Sequence, residues 1–147
     1  VVRGFGSSGI WADNATVERV QVFGNGAFGI WLTGGGSVSK CTAIGNLYHG
    51  ITGEAVLVDS SRALDNGGCG FSLTPGDIRD SEAVHNGSTG IYVGSGLAQD
   101  DISRDNAGCA IFAPGGGYAR NAVYGTSTLC DGTELGQNLC NGSDVCP

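Results

Sequence analysis

Methionine is absent from this chain, lysine occurs once, proline three times, and only 14% of the residues are charged. Seven Lys and Arg stand against fourteen Asp and Glu, a formal charge of −7. That supply of cations excludes partners held through phosphate, because nucleic acid and anionic membrane surfaces both need clustered Lys and Arg. No apolar run approaches the roughly 20 residues of a membrane-spanning helix, so a soluble chain is expected. A signal peptide is also missing, and Val1 reads as a processed, truncated or internal start. What is plentiful is glycine, 28 of 147 residues. Each Gly disfavours helix by roughly 1 kcal/mol relative to Ala, so these glycines must serve many regular turns. The length suits one domain.

A repeat sets the order of those turns. The apolar residues Ile10, Ile30, Ile51, Phe71, Ile91 and Ile111 recur every 20 or 21 residues, each after Gly9, Gly29, Gly50, Gly70, Gly90 or Ala110. A second register, Asn25, Asn46, Asn66, Asn86 and Asn106, lies five residues before the anchors from Ile30 onward. Eight residues before these Asn come Val17, Val38, Val58, Ile78 and Ala98, and three before come Val22, Ala43, Ala63, Ala83 and Ser103. Apolar and polar residues alternate between the glycines, which is the period of strands. Short strands that return to one register can bury their inward residues only by stacking coil on coil, about 4.8 Å apart. The expected fold is all-β, a parallel β-solenoid of about six coils over residues 1–124, with 125–147 as a Cys-bearing capping tail. The five Asn are expected to form an inward structural ladder, since an amide both donates and accepts.

Residues one period apart become neighbours, so chemistry is sought down the columns. The position after each anchor points outward and holds Trp11, Trp31, Thr52, Ser72, Tyr92 and Phe112; its aromatics Trp11, Trp31, Tyr92 and Phe112 are candidates for stacking on sugars or a partner. The position before each Asn holds Gly24, Gly45, Asp65, His85 and Asp105. Asp65, His85 and Asp105 are the weak catalytic candidates, and one His between two carboxylates falls short of the ligand set of a metal site, so no metal is expected. Asp59 beside Arg79 and Arg62 beside Glu82 read as cross-coil ion pairs. No cofactor is called for.

Six cysteines, with Cys130, Cys140 and Cys146 in the last eighteen residues, point to an oxidising compartment. Cys69 and Cys109 share a column two coils apart, about 9.6 Å by strand spacing and too far to bond, whereas Cys130 falls near that slot one coil beyond Cys109. The expected disulfides are Cys109–Cys130 and Cys140–Cys146; Cys41 and Cys69 are left open between thiol and disulfide. Of the sequons at Asn14, Asn86 and Asn141, Asn86 belongs to the ladder and is closed to a glycan.

The phrases VVRGFGSSGIW, SVSKCTAIGNLYHGI and GQNLCNGSDVCP resemble bacterial secreted right-handed parallel β-helix repeat proteins, of the pectate-lyase-like solenoid superfamily. The likeness spans nearly the whole chain. It implies a right-handed coil and a secreted or cell-surface location, and it specifies no activity, because the architecture serves lyases, epimerases, phage spikes and adhesins alike. Relatives of this kind carry further coils upstream, so the chain is expected to open mid-solenoid, with Phe5 in the ladder slot and Val2 in an inward slot. At the other end Thr126 takes the ladder slot.

Three function classes follow. The first is a non-catalytic extracellular structural solenoid whose first coil stacks end to end on copies of itself or on upstream coils, giving fibres or oligomers. The second is a carbohydrate-binding module on the aromatic column. The third is a polysaccharide lyase or hydrolase around Asp65, His85 and Asp105. It is disfavoured, because the outward face that carries catalysis in enzymes of this shape has no Lys or Arg here.

Overall fold

Each turn of the chain is three short strands, and the corners between them need a backbone conformation that most side chains avoid. In the computed structural model, which describes residues 1–125 and 128–143, two corner positions per turn lie in the left-handed region. One column is Arg19, Lys40, Ser60, Asp80, Asp100 and Arg120, with φ between 49° and 57°. The other is Gly24, Gly45, Asp65, His85, Asp105 and Gly125, with φ between 53° and 85°. Asp, Asn, His and Gly enter this region at the lowest cost, which accounts for the residue types of the second column without any chemistry.

The strands pair in parallel with their copies one turn away. One sheet has eight strands, running from Val2–Arg3 through Gln21–Phe23, Thr42–Ile44 and four further copies to Leu139–Cys140. The other two columns merge into a twelve-stranded sheet, because Ile10–Glu18 and Ile30–Ser39 run through the corner unbroken. Eight strands one turn apart span seven steps, so the stack is about seven turns where about six were expected. The extra turn comes from the segment expected as a tail: Leu129–Cys130 pairs with Ile111–Phe112, Thr133–Glu134 with Gly117 and Tyr118, and Leu139–Cys140 with Ala122 and Val123. Its spacing of 16 to 18 residues instead of 20 takes it out of the fixed period. Thr126 lies outside the described residues.

The core is a set of stacked columns. Ile30, Ile51, Phe71, Ile91 and Ile111 are fully buried over one another, as are Val38 and Val58 above Ile78 and Ala98. Ala43, Ala63 and Ala83 keep the opposite wall thin. The glycine before each of the first five anchors is a matter of space: a Cβ at Gly70 would lie 2.7 Å from the Gly90 carbonyl oxygen and 2.8 Å from Asn86 Nδ2.

Two polar ladders run through this interior. Along the expected one, Asn46 Oδ1 accepts from both the main-chain N–H and Nδ2 of Asn25, at 3.1 and 2.8 Å, and the same double contact repeats through Asn66, Asn86 and Asn106. Phe5 occupies the first slot and donates its main-chain N–H to Asn25 at 3.1 Å. The second ladder lies at the other corner and was not foreseen. Ser61 Oγ accepts from Cys41 N–H, Ser81 Oγ from Ser61, Asp101 Oδ1 from Ser81, Asn121 Oδ1 from Asp101 and Asn138 Oδ1 from Asn121, all at 2.9 to 3.2 Å. Hydroxyl, carboxyl and amide share one task there, capping the N–H of the previous turn with an acceptor.

Cys109 and Cys130 are joined by a disulfide one turn apart, with Cα atoms 5.8 Å from each other. Cys41 is a buried thiol and Cys69 a half-buried one. Cys146, the partner expected for Cys140, lies outside the described residues.

Candidate functional site

Alternation along Ile10–Glu18 and Ile30–Ser39 turns Ile10 and Ile30 inward and Trp11 and Trp31 outward. The two indoles stack with centroids 5.7 Å apart and planes 22° off parallel, the offset arrangement aromatic pairs prefer. Trp31 covers one face of Trp11, and Trp11 is still 71% exposed, so its other face is open to solvent. From around the Asn corner Phe28 reaches the edge of Trp31 at 5.4 Å, and Phe28 in turn touches Tyr48 at 5.8 Å and His49 at 5.5 Å. Tyr48 and its neighbour Leu47 are exposed. These contacts make one contiguous aromatic strip across the first turns.

Tyr92 and Phe112 form a separate pair at 5.5 Å. Thr52 and Ser72 hold the intervening positions, with Thr52 Oγ1 donating to the Ser72 carbonyl at 2.9 Å. Three coils part Trp31 from Tyr92, about 14 Å at strand spacing. The column therefore yields two patches, and the larger recruits Phe28, Tyr48 and His49 from positions that column did not contain.

His49 is the polar member of the strip. Its Nδ1 accepts the main-chain N–H of Cys69 at 2.9 Å, which leaves the ring proton on Nε2. Burial pushes its pKa down, so the ring is neutral at neutral pH.

Asp65, His85 and Asp105 do lie side by side, but loosely. His85 Nδ1 is 3.8 Å from Asp65 and Nε2 is 3.7 Å from Asp105, beyond hydrogen-bond distance, and the three side chains are 45% to 64% exposed. Among the described residues no group of three or more His, Cys, Asp or Glu has the geometry to hold a metal ion. All three residues sit at corner positions of positive φ, a conformation that Asp and His enter at low cost.

The expected ion pairs are made: Arg79 Nε meets Asp59 at 2.7 Å and Arg62 Nε meets Glu82 at 2.8 Å. Arg79 also holds the Asp59 carboxyl below the usual range, chiefly through that hydrogen bond. Arg120 forks onto both oxygens of Asp100 at 2.7 Å. A shallow groove of about 430 Å³ runs past Val56, Gly76 and Gly96, and its single carboxylate, Asp77, is engaged by the Leu97 N–H at 2.8 Å. Along Val2–Arg3 the first turn presents an open hydrogen-bonding edge; a preceding coil of a longer chain would cover it as readily as a second copy.

The model of a family described as right handed beta helix region matches residues 2–107. No curated protein and no solved structure matches the chain.

Proposed function

Since the chain belongs to the right-handed β-helix family, its working parts are its outward faces, and we propose that it is a non-catalytic extracellular solenoid that holds polysaccharide on the aromatic strip around Trp11 and Trp31. The observation that carries this reading is an open indole face beside a contiguous run of rings. Sugar rings present C–H faces that lie against such a surface, and covering an exposed indole removes a large apolar area from water. Stacking fixes the rings in advance, so little side-chain freedom is lost on binding. The non-catalytic part is supported by the looseness and exposure of Asp65, His85 and Asp105, where a general base would need a hydrogen-bonded, water-excluding site. The disulfide between Cys109 and Cys130 favours an oxidising location.

Retention of the purified chain on insoluble polysaccharide tests the reading. Trp11→Ala with Trp31→Ala is expected to abolish retention while the far-ultraviolet spectrum stays that of the parent. Retention unchanged in the double variant defeats the proposal, as does polysaccharide cleavage that His85→Ala removes.

A further inference from the structure

The cations of this chain stand apart from its aromatic strip, and all but one are paired. Of seven Lys and Arg, six lie within 4 Å of a carboxylate: Arg19 and Lys40 at Glu18, Arg62 and Arg104 at Glu82, Arg79 at Asp59, and Arg120 at Asp100. The pairs on Glu18, Asp59 and Asp100 lie at the corner of the second ladder, and those on Glu82 lie along the eight-stranded sheet. Arg3, the seventh, belongs to the eight-stranded sheet, whereas Trp11 and Trp31 stand on the twelve-stranded one. Beside the indoles the chain places a carboxylate: Asp13 follows Trp11 by two residues on the same outward side and accepts the Thr33 hydroxyl at 2.9 Å. His49 adds no positive charge, because its Nδ1 is taken up by the Cys69 N–H.

A polyuronate or sulfated glycan brought to this strip would meet Asp13 and a molecule of formal charge −7, with no free cation on that face. An uncharged glycan meets only apolar ring faces and hydrogen-bonding groups, the indole N–H donors, the Tyr48 hydroxyl and His49 Nε2–H. Resting on the reading of the strip as a glycan platform, we infer that its ligand is an uncharged polysaccharide, a polymer of neutral pyranoses such as a β-glucan or a xylan, and that acidic polysaccharides are excluded by charge.

Intrinsic fluorescence reads this site directly, since Trp11 and Trp31 are the only tryptophans of the chain. The unaltered protein is titrated with soluble β-glucan, xylan and polygalacturonate. A shift of indole emission by a neutral polymer is expected, with polygalacturonate at least about tenfold weaker and the neutral response unmoved by added salt. An equal or stronger response to polygalacturonate overturns the inference; if Trp11→Ala then removes that response, the strip is still a glycan platform and only the ligand class was wrong. No response to any of the three polymers overturns both.

Discussion

Asn121 Oδ1 accepts the main-chain N–H of Asp101 at 2.9 Å, and one turn earlier Asp101 Oδ1 accepts that of Ser81 at the same distance. The two side chains do one job with different chemistry. Asn121 also donates Nδ2 to the Ala98 carbonyl at 3.0 Å, whereas the second oxygen of Asp101 is buried with no hydrogen-bond partner among the described residues. Burial pushes the Asp101 carboxyl well above its usual 3.8 against the backbone hydrogen bonds at Ser81 and Gln99, which lower it, and the nearby Asp80 and Asp100 add to the rise. Burial thus disfavours the charged carboxylate in the folded chain relative to the unfolded one.

Asp101→Asn is therefore expected to stabilise the protein at neutral pH, by roughly 1 to 3 kcal/mol, the range for relieving a buried unsatisfied polar group. The folded pKa is raised, so the contribution of Asp101 is fully present below the unfolded value of 3.8 and is lost as pH rises through the folded value. The advantage of the Asn variant should then be smallest in acid and widen toward neutrality. Urea unfolding of both proteins across that range checks it. A constant difference, or a less stable Asn variant at pH 7, would show that Asp101 is not the buried acid described.

Ser81→Ala is expected to cost roughly 1 to 3 kcal/mol, because it strands the buried Ser61 N–H, while the Arg79 carbonyl that the hydroxyl also serves keeps the Ser60 N–H. Asn86→Ala should cost more, since Asn86 Oδ1 takes two donors from Asn66 and its Nδ2 serves the Ala63 carbonyl. Thermal unfolding ranks the two. A neutral Ser81→Ala would mean the second ladder is an accident of the corner and contributes no stability.

How much of this could be read in advance depended on what repeats. Asn25 through Asn106 repeat a residue type, so their ladder and its period were legible in the letters. From Cys41 through Ser61, Ser81, Asp101 and Asn121 to Asn138, only an acceptor atom repeats, and no column of letters reveals it. The pairing of Trp11 with Trp31 followed from strand alternation. Phe28 and Tyr48 reach the same strip from around a corner whose angle the period does not specify. The column of Asp65, His85 and Asp105 was visible in the letters, but the positive φ that its three residues share was not. The last turn escaped because its repeat is shorter.

The two glycine columns should separate cleanly under substitution. Gly45 has φ of 61° and open space around its missing Cβ, in a column that elsewhere holds Asp and His, so Gly45→Asp is expected to fold with near-parental stability. Gly70→Ala would drive its methyl against the Gly90 carbonyl and Asn86 Nδ2, both inside the stack, and is expected to lower the melting temperature sharply. Equal effects of the two changes, measured by calorimetry, would contradict the close coil spacing at Gly70.

Removing the bond between Cys109 and Cys130 tests how the last turn is held. The bridge closes a loop of 21 residues, for which chain entropy gives about 3 kcal/mol of stabilisation. In Cys109→Ala with Cys130→Ala the loss is expected at the C-terminal end first, because strands at the edge of a stack have a neighbour on only one side while those around Phe71 have two. Hydrogen exchange resolved along the chain should then show faster exchange at Tyr118 to Val123 and in the turn after them, with the amides of Asn46 to Phe71 unchanged. Uniformly faster exchange across all turns would mean the solenoid unfolds as one cooperative unit, with the bridge stabilising the whole stack instead of its end.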